Sequence, residues 1–278
     1  MCPICHSSGN VSTLMDRSDR EYGLVVRLSY HRCLDCGLVY ADPVLPEQIP
    51  SFYGVYSTHG RPKQSFLGKL GSRRALAHAM RVIASDAMVL DYGCGNGRFL
   101  LQLRDHGYTN LSGYDFDPKA AELARSAGLH IVDEIAGPYD AIVLNHVVEH
   151  LLDPVEVLRG LADRLVPGGT LLVRMPNSNS TLARLFKDRW RGWETPRHLR
   201  IFTPRASARL FDELPFDRVT ITTSNAMWFG MVHESLKQWG RLPRHAAAFA
   251  GLPVAEAVRA FAPRGEELVV VATRESSR

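Results

Sequence analysis

From residue 87 onward the chain alternates short apolar runs with stretches whose apolar residues recur every three to four positions. Short apolar runs bounded by turn residues read as buried strands, and the longer period reads as amphipathic helix. Ala87-Met88-Val89-Leu90-Asp91 is the first run and ends in a carboxylate. A helical stretch from Arg98 to His106 follows and stops at Gly107. Leu111 to Asp115 is a second strand, again ending in a carboxylate. Asp117-Pro118 then supplies an N-cap and a proline at the first helical position, a start signal repeated at Asp153-Pro154. The helix from Asp117 stops at Gly128; the next two strands are Leu129 to Val132 and Tyr139 to Leu144, the latter apolar throughout, as burial on both faces requires. Val155, Leu158, Leu161 and Leu165 mark one face of a helix ended by Pro167-Gly168-Gly169. Thr170 to Met175, Val219 to Thr223 and Leu268 to Thr273 complete the set. The alternation predicts an α/β fold built on a doubly wound, mostly parallel, seven-stranded sheet.

The flanking parts read differently. Residues 1–42 form a small cysteine-pinned module with strand-like stretches at Arg27 to Tyr30 and Leu38 to Tyr40. Residues 43–72 carry prolines, glycines and aromatics and read as a linker with some helical turns, leaving 73–278 as the α/β domain. Within it, residues 226–264 are an insertion rich in Trp, Met, Ala and Arg, expected to be helical and to serve as a lid or dimer contact.

Composition narrows the class. The 278 residues, 45% hydrophobic, suffice for one full core plus an accessory module. No stretch reaches the roughly 18 to 20 apolar residues that span a bilayer, and the first residues lack a basic-then-apolar leader, so a soluble cytoplasmic protein is expected. Net charge is only +4, but basic residues cluster. One run holds Arg61, Lys63, Lys69, Arg73, Arg74 and Arg81; a second holds Arg184, Lys187, Arg189, Arg191, Arg197, Arg200, Arg205 and Arg209. The first reads as a solvated face, and the second suggests an anionic substrate.

The chemistry centres on Asp91-Tyr92-Gly93-Cys94-Gly95-Asn96-Gly97, a glycine-rich turn between a strand and a helix. Such a turn lets backbone approach a ligand closely, and the helix start adds amide donors. Dinucleotide-binding folds use similar loops. Asp91 narrows the choice, because a carboxylate there suits a cationic ammonium rather than a pyrophosphate. Asp115, at the end of the next strand, can accept both hydroxyls of a ribose.

With Gly113-Tyr114-Asp115-Phe116-Asp117-Pro118, Tyr139-Asp140-Ala141-Ile142-Val143, Val147-Val148-Glu149-His150-Leu151 and Leu165-Val166-Pro167-Gly168-Gly169, the stretch from about 87 to 177 resembles the class I S-adenosylmethionine (SAM)-dependent methyltransferases. The resemblance implies a Rossmann-like fold and SAM as cofactor. It assigns Gly93, Gly95 and Gly97 to the methionine part of SAM, Asp115 to the ribose, Phe116 to the adenine face and Asp133 to the adenine amino group. Asn145 and His146 would face the sulfonium and acceptor, and Cys94 would pack within the turn.

Four of the five cysteines form two Cys-x-x-Cys pairs, Cys2/Cys5 and Cys33/Cys36, as in a zinc ribbon. Four thiolates match tetrahedral zinc and leave no open position, so the metal would be structural. The module would cover substrate. The segment Trp190 to Pro204 is dense in polar and aromatic residues and belongs on a loop over the methyl group. It is similar to a segment of zinc-ribbon methyltransferases in bacterial sugar and secondary-metabolite pathways. His198-Leu199-x-x-Phe202-Thr203 resembles a segment of sugar C-methyltransferases in which the histidine acts as base. His198 is therefore the first candidate base, followed by His146 and His150. The C-terminal domain of the sugar C-methyltransferases has no counterpart here, so their reaction does not transfer.

The expected function is methyl transfer to a small-molecule acceptor: a sugar, nucleotide-sugar or natural-product intermediate. An RNA methyltransferase and a SAM-binding protein without methyl transfer are the alternatives. The acceptor atom is open, since this fold serves oxygen, nitrogen and carbon nucleophiles.

Overall fold

The computed structural model describes residues 1–20, 23–53, 66–237 and 264–276. The apolar runs form the central sheet, in the order β5 (Leu111–Tyr114), β4 (Val89–Tyr92), β6 (Tyr139–Asn145), β7 (Leu165–Pro176), β10 (Glu267–Arg274) and β9 (Phe216–Ser224). β5, β4, β6 and β7 run parallel, and β10 is antiparallel to both neighbours. The expected strand at Leu129 to Val132 is reduced to one parallel bridge, Gly113↔Ile131, so the sheet has six strands rather than seven. That run is joined to β5 only around Gly113, whose amide donates to the His130 carbonyl and whose carbonyl accepts from the Val132 amide, both at 2.9 Å.

Alternation of side chains sorts the strands between two faces. Leu90, Ile142, Leu144, Leu171, Val173 and Val270 pack on one side with α5 (Pro154–Ala162) and α7 (Pro204–Phe211). Val89, Ala141, Val143, Leu172 and Val269 pack on the other with α2 (Phe66–Val82) and α3 (Arg98–Asp105). Helices thus cover both faces, as continuous apolar strands demand. The start signals hold: Asp117 accepts from the Lys119 amide at 3.0 Å to open α4 (Pro118–Ser126), and Asp153 accepts from the Glu156 amide at 2.9 Å to open α5. α2 runs across the expected boundary at 72, and α1 (Ile49–Tyr53) lies in the segment read as linker.

The cysteine-pinned module is a sheet of β1 (Val11–Ser18), β2 (Arg27–Cys33) and β3 (Val39–Ala41), completed by β8 (Arg200–Ile201) from the late loop. Its core holds Leu28, Tyr30 and Val39 together with Trp190, Trp193, Leu199 and Ile201, so the module and the loop bury one another. Arg17 lies over the Trp193 ring at 4.4 Å, and the Tyr30 hydroxyl donates to the His198 carbonyl at 2.9 Å. Of the insertion expected at 226–264, the structure describes α8 (Trp228–Lys237); residues 238–263, and with them the lid or dimer reading, lie outside the described residues. No described helix is long and apolar enough to cross a membrane.

Candidate active site

The carboxyl ends of β4, β5 and β6 open onto a cavity of about 780 Å³. At one end lies the glycine-rich turn. Gly93, Gly95 and Gly97 all have left-handed φ, at 76°, 56° and 75°. A side chain at Gly93 would put its Cβ 2.5 Å from Val147 Cγ2, so glycine is required there by space as well as by φ. Gly93 and Gly95 line the cavity, but Gly97 does not: it sits beneath the turn against Leu129 and Ala124 and lets α4 approach.

Asp91, 2% exposed, stands on the cavity wall with Oδ1 lacking any hydrogen-bond partner. Burial, and secondarily the charge of Asp115, push its carboxyl up to about 7. Asn145 on the same wall also has a buried, unpartnered Nδ2. Asp115 is fixed by two backbone donors, Gly95 N at 2.7 Å and Asp117 N at 2.9 Å. Phe116 projects beside it, 60% exposed, edge-on to Tyr53 at 5.1 Å. Cys94 lines the cavity as a buried thiol. Asp133 does not reach it: its exposed side chain pairs with Arg125 at 2.5 Å. The shortened strand before Asp133 leaves that residue on the outer surface.

The rest of the wall is mostly apolar, with Ile49 and Tyr53 from α1, Leu151, Leu152, and Ala226, Met227 and Gly230 beside or within α8. His146 and His150 line the same cavity. His146 has a left-handed φ of 57° that aims its ring between two buried carboxylates, Nδ1 to Glu149 at 3.2 Å and Nε2 to Glu267 at 3.0 Å. Burial opposes its protonation, but the two carboxylates prevail and raise it to about 10. An imidazolium so held is a poor base. Glu267 is held in turn by Arg174 at 3.2 Å, and Arg174 donates to the Ala75 carbonyl at 3.0 Å.

His150 is the converse. Its Nδ1 donates to the Arg197 carbonyl at 3.1 Å, and burial with the neighbouring His198 lowers it to about 3, leaving a neutral ring. His198, the first candidate base, does not line the cavity. It is 5% exposed and stands behind His150, ring centroids 4.8 Å apart, with Nδ1 donating to the Gly192 carbonyl at 2.7 Å. The loop is pulled inward by its shared core with the N-terminal sheet, which turns His198 away from the cavity. None of the described residues of 1–42 is on the cavity wall, and the module packs against this loop.

Three cations of the second basic run, Arg191, Arg197 and Arg200, change meaning, while Arg184, Lys187 and Arg189 are exposed. Arg197 is 1% exposed and paired with Glu194; Arg191 pairs with Glu194 as well. Arg200 donates to the carbonyls of Ala41, Leu199 and Leu152. These cations hold the loop together and do not face the cavity.

Cys2, Cys5, Cys33 and Cys36 converge. Sulfur pairs are 3.7 Å (Cys2–Cys36) and 3.5 Å (Cys5–Cys33), and all four lie within 4.8 Å of one another. Four thiolates at about 2.3 Å from a zinc ion stand roughly 3.8 Å apart. These sulfurs could hold such an ion, and they are not disulfide-bonded.

The profile of a methyltransferase domain matches residues 66–221, more than half of the chain, from the start of α2 into β9. The chain belongs to the methyltransferase domain family. A ubiquinone biosynthesis O-methyltransferase of Xylella fastidiosa is 32% identical over 144 residues, 47% of this chain and 56% of that protein. EEF1A lysine methyltransferase 2 of Mus musculus is 38% identical over 88 residues, 23% of this chain and 35% of that protein. The chain therefore spans about half or less of the length of the curated relatives it matches, from 35% to 56%. A SAM-dependent methyltransferase of Thermotoga maritima superposes with a TM-score of 0.53 at 17% identity, over 75% of this chain and 92% of that one. At that identity the likeness speaks for the fold alone.

SAM fits the glycine end of this methyltransferase on its own terms. The unpartnered, buried Asp91 oxygen lacks a cation that an ammonium supplies, and the glycines leave backbone where side chains would fill the cradle. Sequence reading passed over Arg98, which also lines the cavity. It is the first residue of α3, where the helix dipole disfavours a cation, and that misplacement was a usable signal. It also passed over Tyr53, Arg174 and Glu267, which local pattern does not mark.

Proposed function

We propose that this methyltransferase transfers the methyl group of SAM to a small-molecule acceptor seated against the apolar stretch of the cavity wall. The observation that carries the reading is one cavity, of the size small ligands occupy, whose wall joins a cofactor cradle, a neutral histidine and an apolar stretch. Asp91 binds the SAM ammonium and Arg98 its carboxylate. Asp115 binds the ribose hydroxyls, Phe116 covers the adenine, and Asn145 and His146 border the sulfonium. His150 meets the reacting atom of the acceptor, and His198 is a positioning residue behind it. SAM supplies the electrophilic methyl; the chain binds, orients and excludes water.

An acceptor among Ile49, Tyr53, Leu151 and Met227 presents an apolar or ring face, which suits a natural-product intermediate or the ring of a sugar. The internal placement of Arg191, Arg197 and Arg200 removes them as support for an anionic acceptor or for RNA. Zinc on Cys2, Cys5, Cys33 and Cys36 serves a structural purpose, since four thiolates close its coordination.

Calorimetry with S-adenosylhomocysteine and a screen of nucleotide-sugars and hydroxylated aromatics with methyl-labelled SAM test the reading. Tight cofactor binding and label in a small acceptor are expected. A folded, zinc-loaded protein that binds no cofactor would refute it. His150→Gln should cut turnover by at least about 100-fold, the range of a proton-handling or acceptor-contacting group, with cofactor affinity nearly unchanged.

A further inference from the structure

The geometry points to a divalent-cation site made by Glu149, His150 and His198, on the acceptor side of the cofactor. It rests on the methyl-transfer reading above and narrows the acceptor to one bearing a hydroxyl group.

Both histidines are locked in one tautomer. The Gly192 carbonyl, 2.7 Å from His198 Nδ1, can only accept, so that nitrogen carries the proton. The Arg197 carbonyl does the same for His150. Nε2 is then the ring nitrogen left to bind a cation. His198 Nε2 stands 3.9 Å from Glu149 Oε1 and 3.5 Å from Glu194 Oε2. Glu149 is wholly buried, its Oε1 accepting from His146 and its Oε2 without a partner. One ligand atom from each of Glu149, His150 and His198 lies within 4.8 Å of the others.

A cation bound among these groups would take up the unpartnered Glu149 Oε2 together with the Nε2 positions of the two histidines. Ligands about 2.1 Å from a metal stand roughly 3.0 to 3.4 Å apart, so a small inward movement of these side chains closes the site. A backbone carbonyl on the far nitrogen of each histidine is the outer-shell arrangement that fixes metal-ligating imidazoles. Glu194 is engaged by Arg191 and Arg197 and stays outside the triad. Two imidazoles and one carboxylate suit a first-row ion such as manganese, iron or cobalt. His150 alone of the three lines the cavity, so the open coordination positions lie on its side.

An acceptor hydroxyl bound there loses its proton to water, because coordination lowers its pKa. Its oxygen bonds to the methyl carbon as the carbon–sulfur bond breaks toward sulfur. The products are the methyl ether, S-adenosylhomocysteine and a proton.

The test is titration of the full-length, zinc-loaded protein with Mn2+, followed by loss of the free-ion electron paramagnetic resonance signal. Mn2+ avoids thiolate sites, which separates this site from the cysteines. One bound ion is expected, with affinity falling more than about 10-fold in both His150→Gln and His198→Gln. S-Adenosylhomocysteine affinity, measured alongside, should stay within about 2-fold of wild type in both variants and so reports their folding. Cofactor binding without Mn2+ binding, or Mn2+ binding unchanged in both variants, overturns the cation site and leaves the methyl-transfer reading standing. Absence of cofactor binding strikes that reading instead.

Discussion

Asp91 shows how a single side chain can be wrong for the empty protein and right for its ligand. A buried carboxylate with an unpartnered oxygen is unfavourable, and it responds by holding its proton up to about pH 7. The folded pKa lies above the ordinary value. The cofactor-free protein therefore gains stability from this group at low pH and loses it as pH rises through about 7. Cofactor binding runs the other way, because the ammonium needs the carboxylate ionised. S-Adenosylhomocysteine affinity should rise with pH up to about 7 and then level off, with proton release below that point. Asp91→Asn should lower affinity by about 10- to 100-fold, the loss of a charge-assisted hydrogen bond, and flatten the pH dependence. Calorimetry in buffers of different ionisation enthalpy reads both. A wild-type profile as flat as that of the variant would reject the role.

At the scale of elements, one hydroxyl ties α7 to the cysteine knuckle, beside the apolar core that Ile4, Cys36, Ala206 and Leu210 share. Thr203 Oγ1 accepts from the Ala206 amide at 3.1 Å, capping α7, and donates to the Cys36 carbonyl at 3.1 Å. Gly37, with φ of 81°, lies so close that an added Cβ would sit 3.0 Å from the same hydroxyl. Thr203→Val keeps the shape and removes both bonds. It should cost about 1 to 2 kcal/mol in denaturant unfolding and speed release of zinc to a chelator. The cap was legible in Thr203-Pro204. Its second bond was not, because Cys36 is 167 residues away in sequence.

At the scale of the whole molecule, the N-terminal sheet and the catalytic domain are coupled through β8. Val39 pairs with Ile201 and Tyr40 with Arg200, while Tyr30 and Trp193 meet edge-on at 5.5 Å. Stripping zinc should therefore do more than loosen residues 1–42. Amide exchange should accelerate at Arg200 and Ile201 and in the segment carrying His198, and turnover should fall with cofactor affinity largely kept. Exchange confined to the N-terminal residues would show that the coupling is absent.

What the sequence by itself determined lies within short spans: all but one of the strands read for the central sheet, the Asp-Pro helix starts, the glycine turn with Asp91 and Asp115, and the two cysteine pairs. Each is fixed by backbone sterics or a hydrogen bond a few residues long, so neighbours in sequence suffice. Tertiary structure decided the state of every histidine at the site. His146 is clamped by Glu267, 121 residues away; His198 is drawn behind His150 by a core shared with the N-terminal sheet; and the arginines of the late loop are turned inward onto Glu194 and backbone carbonyls. Charge state and exposure depend on which distant groups the fold brings within a few ångströms, and no local pattern records that.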